Sequence, residues 1–173
     1  LMAAMLTPLL GALVISRLDK LPDYREAVTL VTASILFSIN VYLFNHLDAA
    51  SSAQFTIAEP IEGLAISFVL NQFGLMFALI ASGLWIATSI YAIGYMRAHH
   101  EKNQTRFFTL FAVAIAGVMA VAFSENLFTL FIFYEFLTVS TYPLVTHAGT
   151  REAKRGGRKY ILILMGTSIL FFL

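Results

Sequence analysis

Leu127-Phe128-Thr129-Leu130-Phe131-Ile132-Phe133-Tyr134-Glu135-Phe136-Leu137-Thr138-Val139-Ser140-Thr141-Tyr142 is an apolar run interrupted by a single carboxylic acid. Continued to Thr146, it reaches the roughly 20 residues that a helix needs to cross a bilayer. Glu135 is the ninth residue of that run and so falls near the bilayer midplane. A carboxylate at that depth costs on the order of 3 kcal/mol, so such residues are paired, protonated or set against a hydrated cavity.

The rest of the chain fits a bilayer as solvent. Of its 173 residues 59% are hydrophobic and only 12% charged, with mean hydropathy +0.80. A soluble domain carries about 25% charged residues. The chain is therefore read as an all-α integral membrane protein, one membrane domain over residues 1–173. Six apolar stretches are candidate spans: Leu1–Ser16, Ala27–Phe44, Phe73–Tyr95, Phe107–Phe123, Leu127–Thr146 and Tyr160–Leu173. The last, only 14 residues long, is too short to cross, which reads as a piece of a longer protein.

Lys and Arg order these spans. Arg17, Lys20 and Arg25 separate the first two. Arg97, Lys102 and Arg106 separate the third and fourth, and Arg151, Lys154, Arg155, Arg158 and Lys159 separate the fifth and sixth. All eleven basic residues thus fall in alternate connections, and residues 45–72 and 124–126 have none. The positive-inside rule places the basic connections in the cytoplasm and the N-terminus outside. In the outer connection, Phe55-Thr56-Ile57 and Leu64 to Leu70 alternate apolar with small or polar residues around Glu59-Pro60-Ile61-Glu62-Gly63. This pattern suggests a small β-hairpin. An interfacial helix leading into the third span is the alternative.

The same inventory excludes several chemistries. The sequence has no Cys, hence no iron–sulfur cluster, disulfide or thiolate zinc site. None of its four His lies mid-span, so an axial pair for a buried haem is missing, and His99-His100 has no third ligand near it. No phosphate-binding glycine loop and no Ser/His/Asp set appears. No cofactor is expected, and nothing points to nucleic acid.

Glu135 is the candidate for proton transfer. Desolvation favours a protonated carboxyl and a neighbouring ammonium favours the charged one; a group held between the two can take and give a proton. Thr138 and Tyr142 follow at i+3 and i+7 on the same helix face and could carry a water chain toward the basic end. Pro143 should bend the helix and free the carbonyl of Val139. His147, at the end of the span, is the candidate entry group. The opposing reading is a protonated Glu135 that only joins helices. For Arg151–Lys159, topology explains the charges without lipid headgroup binding, and for Asn40, Asn71 and Gln72 packing hydrogen bonds are the default.

Ser124-Glu125-Asn126-Leu127-Phe128, Phe133-Tyr134-Glu135-Phe136-Leu137 and Ser140-Thr141-Tyr142-Pro143-Leu144 together resemble the fifth membrane helix of a known family. It is the antiporter-like subunit family shared by respiratory complex I, Mrp-type cation/proton antiporters and membrane-bound hydrogenases. Phe73-Gly74-Leu75-Met76 and Tyr91-Ala92-Ile93-Gly94-Tyr95-Met96 fit its third helix, although members often have Asp before that Gly. Thr150-Arg151-Glu152-Ala153-Lys154-Arg155 looks most like the D-type branch of the Mrp subunits.

The resemblance implies a longer fold of roughly fourteen helices, with inverted repeats that each contain a broken helix. It also implies that Glu135 pairs with a Lys on a seventh helix, for which the chain holds no residue. The function implied is a proton-translocating subunit, of an Mrp-type monovalent cation/proton antiporter in the first reading. In the second it is a proton-pumping subunit of an NADH:quinone oxidoreductase or hydrogenase, whose redox centres lie on other chains. A structural scaffold is the third. Partners would be other membrane subunits, membrane lipid, protons and, for an antiporter, a cation such as sodium. The setting would be the inner membrane of a bacterium or archaeon.

The charge distribution makes one direct prediction. Single cysteines at Ser52 and Asn103, in a chain with no cysteine of its own, should be labelled from opposite sides of the membrane. Labelling of both from one side would contradict the topology.

Overall fold

The structure, a computed structural model, describes residues 1–47 and 53–172. Ser52 and Leu173 lie outside the described residues. Among the described residues six helices and a hairpin follow in order: α1 Met2–Ser16, α2 Pro22–Asn45, β1 Gln54–Ile61, β2 Leu64–Val69, α3 Gln72–Ala98, α4 Gln104–Ala122, α5 Leu127–Val145 and α6 Arg151–Phe172. α2, α3, α4 and α5 are long and apolar enough to cross a membrane. α1 has 15 residues, a rise of about 22 Å against a hydrocarbon core of about 30 Å. Many large apolar side chains face outward, among them Leu10, Leu13, Phe73, Leu84, Tyr91, Leu162 and Leu170, as lipid contact requires.

Two helices, α2 and α6, begin well before their apolar stretches, and their first turns explain the difference. α2 starts at Pro22 rather than Ala27, with Pro in its first turn and Asp23 there to complement the helix dipole. α6 starts at Arg151 rather than Tyr160. Thr150 Oγ1 accepts from the Ala153 amide at 3.0 Å, and Glu152 lies in the first turn. Backbone hydrogen bonds continue a helix wherever it leaves the hydrocarbon, so the basic segment 151–159 is helix and not loop. α6 is therefore 22 residues long, although five of its first nine are basic.

α1 packs on α2 and α4, α2 on α3, α4 on α3 and α5, and α5 on α6. α3 buries Leu75, Ala78, Ser82, Trp85, Ser89, Ala92 and Met96, a stripe of alternating three- and four-residue steps that suits helix-to-helix packing. Asn40 of α2 is fully buried. Its Nδ2 donates to Ser82 Oγ at 3.1 Å and to the Ala78 carbonyl at 3.3 Å. Asn71 caps α3 by accepting from the Gly74 amide at 2.6 Å. Gly74 leaves no room for a side chain, because a Cβ there would overlap the Ala122 carbonyl oxygen.

The hairpin suggested by the alternation is present, antiparallel, with Phe55 opposite Phe68. Its second strand is stitched to the α4–α5 turn. The Val69 amide donates to the Phe123 carbonyl at 2.9 Å, the Glu125 amide to the Ser67 carbonyl at 3.1 Å, and the Ser67 amide to Thr129 Oγ1 at 3.0 Å. Asn126 has two roles: its Oδ1 caps α5 through the Thr129 amide, and its Nδ2 holds the Ala65 carbonyl and Ser67 Oγ.

The three basic segments meet at the other end. Arg25, read as a loop residue, is a buried residue of α2 beside buried Glu26. Its guanidinium donates to Thr105 Oγ1 at 3.1 Å and to Gln104 Oε1 at 2.7 Å, and lies 5.5 Å from the Phe108 ring centre. Arg97 of α3 donates to Glu26 Oε1 at 3.1 Å and also to Asp23. One ionic network thus ties α2, α3 and α4.

Exposure grades its members. The side chain of Glu26 is 7% exposed and that of Asp23 is 82% exposed. Glu26→Ala, which leaves buried Arg25 without its anion, should cost roughly 3 kcal/mol of stability. Asp23→Ala should cost less than about 1 kcal/mol. Thermal unfolding of both variants in detergent checks the ranking; equal losses would contradict it.

Candidate functional site

Glu135 lies in the middle of α5, and its half-buried side chain turns toward α6. Oε1 accepts a hydrogen bond from Ser168 Oγ, which is shared with the Met165 carbonyl at 3.1 Å. Oε2 is buried and has no partner among the described residues. A carboxylate can accept at both oxygens, and buried polar atoms are nearly always paired, so Glu135 is half satisfied.

α5 and α6 run antiparallel with their polar groups in register. Toward the basic end, Thr141 Oγ1 lies 3.0 Å from Tyr160 Oη and also bonds the Leu137 and Thr138 carbonyls, each at 3.0 Å. Further along, the Tyr142 ring lies against Gly157 of α6. A Cβ at Gly157 would overlap Thr146 Cγ2 and stand 2.9 Å from Tyr142 Cε2. Gly157 is therefore what lets the helices approach closely enough for Ser168 and Tyr160 to reach α5.

The four residues singled out by the sequence are distributed along α5 and just past it. Thr138 is buried one turn from Glu135, and Tyr142 is half-buried on the α6 side. His147 follows the last turn of α5. Its ring packs edge-on against Phe107 of α4 with centroids 5.5 Å apart, and its Nε2 is buried without a partner among the described residues. Among the described residues no hydrogen bond joins Glu135 directly to Thr138, Tyr142 or His147.

Three polar groups of this interface escaped the sequence reading. Ser168 and Tyr160 sit in an apolar run that looks uniformly lipid-facing, and Thr141 carries no period that separates it from Ser140. The available signal was the placement of Tyr160 and Ser168 eight residues apart, about two turns, on one face of α6.

The chain has known relatives. The family described as NADH-ubiquinone oxidoreductase (complex I), chain 5 N-terminus, matches residues 62–108, from the hairpin turn through α3 into α4. The D-type subunit of the Na(+)/H(+) antiporter of Alkalihalophilus pseudofirmus is 29% identical over 106 residues, 61% of this chain and 21% of that protein. Subunit N of the NADH-quinone oxidoreductase of Myxococcus xanthus is 28% identical over 176 aligned residues, 91% of this chain and 34% of that protein. The chain thus spans about a fifth to a third of the length of these curated relatives. In fold it is similar to a chain of the membrane-bound sulfane sulfur reductase, an archaeal respiratory membrane complex. The TM-score is 0.77 at 18% identity, over 98% of this chain and 35% of that one. The homologues of this chain are antiporter subunits of the Mrp kind and subunit N of NADH-quinone oxidoreductase, as the motif around Glu135 suggested.

Proposed function

We propose that the chain forms the N-terminal part of a proton-translocating, antiporter-like membrane subunit, with Glu135 as the group that takes up and passes on the proton. The observation that carries this reading is the half-satisfied carboxyl: one oxygen held by Ser168, the other buried and unpartnered among the described residues. Ser168 orients the carboxyl, and the free Oε2 can receive a proton or face a cation on a neighbouring helix. The resemblance makes that cation a Lys.

Thr138, Thr141, Tyr142 and Tyr160 line the route from Glu135 toward His147 and the basic end. Glu135 and Thr141 are six residues apart, a rise of about 9 Å, so more than one water molecule has to link them. Protonation would alternate between Glu135 and its cationic partner as an adjacent subunit changes the local field.

All six helices would belong to one membrane domain of a roughly fourteen-helix fold with paired repeats. Its N-terminus would lie outside the cell membrane of a bacterium or archaeon. Other membrane subunits would be its partners, with protons and a monovalent cation such as sodium as transported ions in an Mrp-type antiporter. The second reading is a subunit of a redox-driven proton pump. The alignment with subunit N over 91% of this chain supports it, as the alignment with the antiporter's D-type subunit over 61% supports the first.

In the assembled complex Glu135→Gln should leave the amount of complex unchanged and abolish proton flux in vesicles, because an amide cannot cycle a proton. Glu135→Asp, shorter by one methylene, should retain an intermediate flux. Normal flux in Glu135→Gln would remove the relay and leave a carboxyl that only joins helices.

Ser168 allows a separate check on the geometry. In thermal unfolding of the complete protein, a cycle of Ser168→Ala and Glu135→Ala should show a coupling of about 1 kcal/mol. Strict additivity would mean that the two side chains do not meet.

A further inference from the structure

The turn between α3 and α4 and the turn between α5 and α6 enclose a cavity of about 470 Å³ at the basic end of the bundle. His100, Lys102, Arg106, His147 and Lys154 line it, drawn from both turns and from the starts of α4 and α6. Among the described residues, Glu101 is the sole carboxylate in the lining. Lys102, Arg106 and Lys154 take part in no ion pair among the described residues; the ion pairs there join Arg25 and Arg97 to α2 instead.

One further feature favours an anion. The N-cap of α4, Asn103, lines the cavity but forms no side-chain cap, so the positive end of a 19-residue helix faces this region without a side-chain acceptor. We infer that this cavity binds a phosphate-bearing anion, either the headgroup of an anionic lipid or free phosphate.

The chemistry selects phosphate over a simple halide. The Arg106 fork can engage two phosphate oxygens while Lys102 and Lys154 contribute point charges from opposite turns. The volume holds a phosphate with an attached glycerol. The cavity also opens at the end of a membrane bundle, where anionic headgroups gather against basic residues. A ligand here would bridge the α3–α4 and α5–α6 turns. The cavity shares His147 with the proposed proton route, while its basic residues Lys102, Arg106 and Lys154 lie outside that route.

The test uses the complete purified protein in a neutral detergent. Dihexanoyl phosphatidylglycerol, inorganic phosphate and dihexanoyl phosphatidylcholine are titrated separately, with binding read by calorimetry. Phosphatidylglycerol should bind, and Lys102→Gln combined with Lys154→Gln should weaken it by about tenfold or more. Lys159→Gln, a basic residue of the same helix outside the cavity, should leave it unchanged. Both cavity lysines are exposed, so the thermal midpoint of the double variant without ligand should match the parent and verify its fold. Binding of inorganic phosphate with the same lysine dependence, and none of phosphatidylglycerol, would assign the site to free phosphate. Binding of neither anion, equal binding by the double variant, or equal affinity for phosphatidylcholine would overturn the inference.

Discussion

A carboxyl in the middle of a membrane helix must find its hydrogen bonds on a neighbouring helix, because the hydrocarbon offers none. In this chain that requirement couples α5 to α6. Ser168 meets Glu135, Tyr160 meets Thr141, and Gly157 gives Tyr142 and Thr146 the space to come close. The polar contacts and the small residue depend on one another: a side chain at position 157 would separate the helices and strand the carboxyl. One Glu135 oxygen nevertheless stays unpaired among the described residues. A site built only to join helices would gain by pairing both, whereas a site that exchanges a proton needs one oxygen accessible to donors other than Ser168.

The two ends of the bundle are secured by different means, and each suits its surroundings. At one end the hairpin is fastened to the α4–α5 turn by backbone bonds and by the double duty of Asn126. Phe68 is buried there against Phe55 and Phe133. At the other end charge holds the helices: Arg25, Glu26 and Arg97 are buried or half-exposed and mutually paired, so α2, α3 and α4 are locked where they leave the apolar zone. Glu135 lies between these two ends, and the register of α5 against α6 rests on the Ser168 and Tyr160 contacts and on Gly157.

Much of this fold was legible in the sequence because bilayers impose a coarse code. The apolar runs located the six described helices, the alternation at Phe55–Ile57 and Leu64–Leu70 located the hairpin, and the grouping of Lys and Arg named the segments that meet at one end. Helix starts were missed at α2 and α6 because hydropathy marks the edge of the hydrocarbon, whereas capping by Pro22 and Thr150 marks the edge of the helix. At the site, Glu135 stood out through the cost of burying it. Ser168 did not, since a Ser hydroxyl in an apolar helix can satisfy itself on the preceding turn, and Tyr160 did not, since a Tyr at the edge of an apolar run is ordinary for a membrane interface. Likewise Arg25 and Glu26 looked like a hydrated boundary, and only packing against Gln104, Thr105 and Phe108 makes them interior.

The central claim is that Glu135 changes its protonation state while buried between helices. Infrared difference spectroscopy of the complete complex, stepped through a pH titration, reads this directly from the carboxyl stretching region. The account predicts a carboxyl band that grows as pH falls and is missing from Glu135→Gln, with the rest of the spectrum preserved. A Glu135 band that stays constant throughout the titration would contradict it.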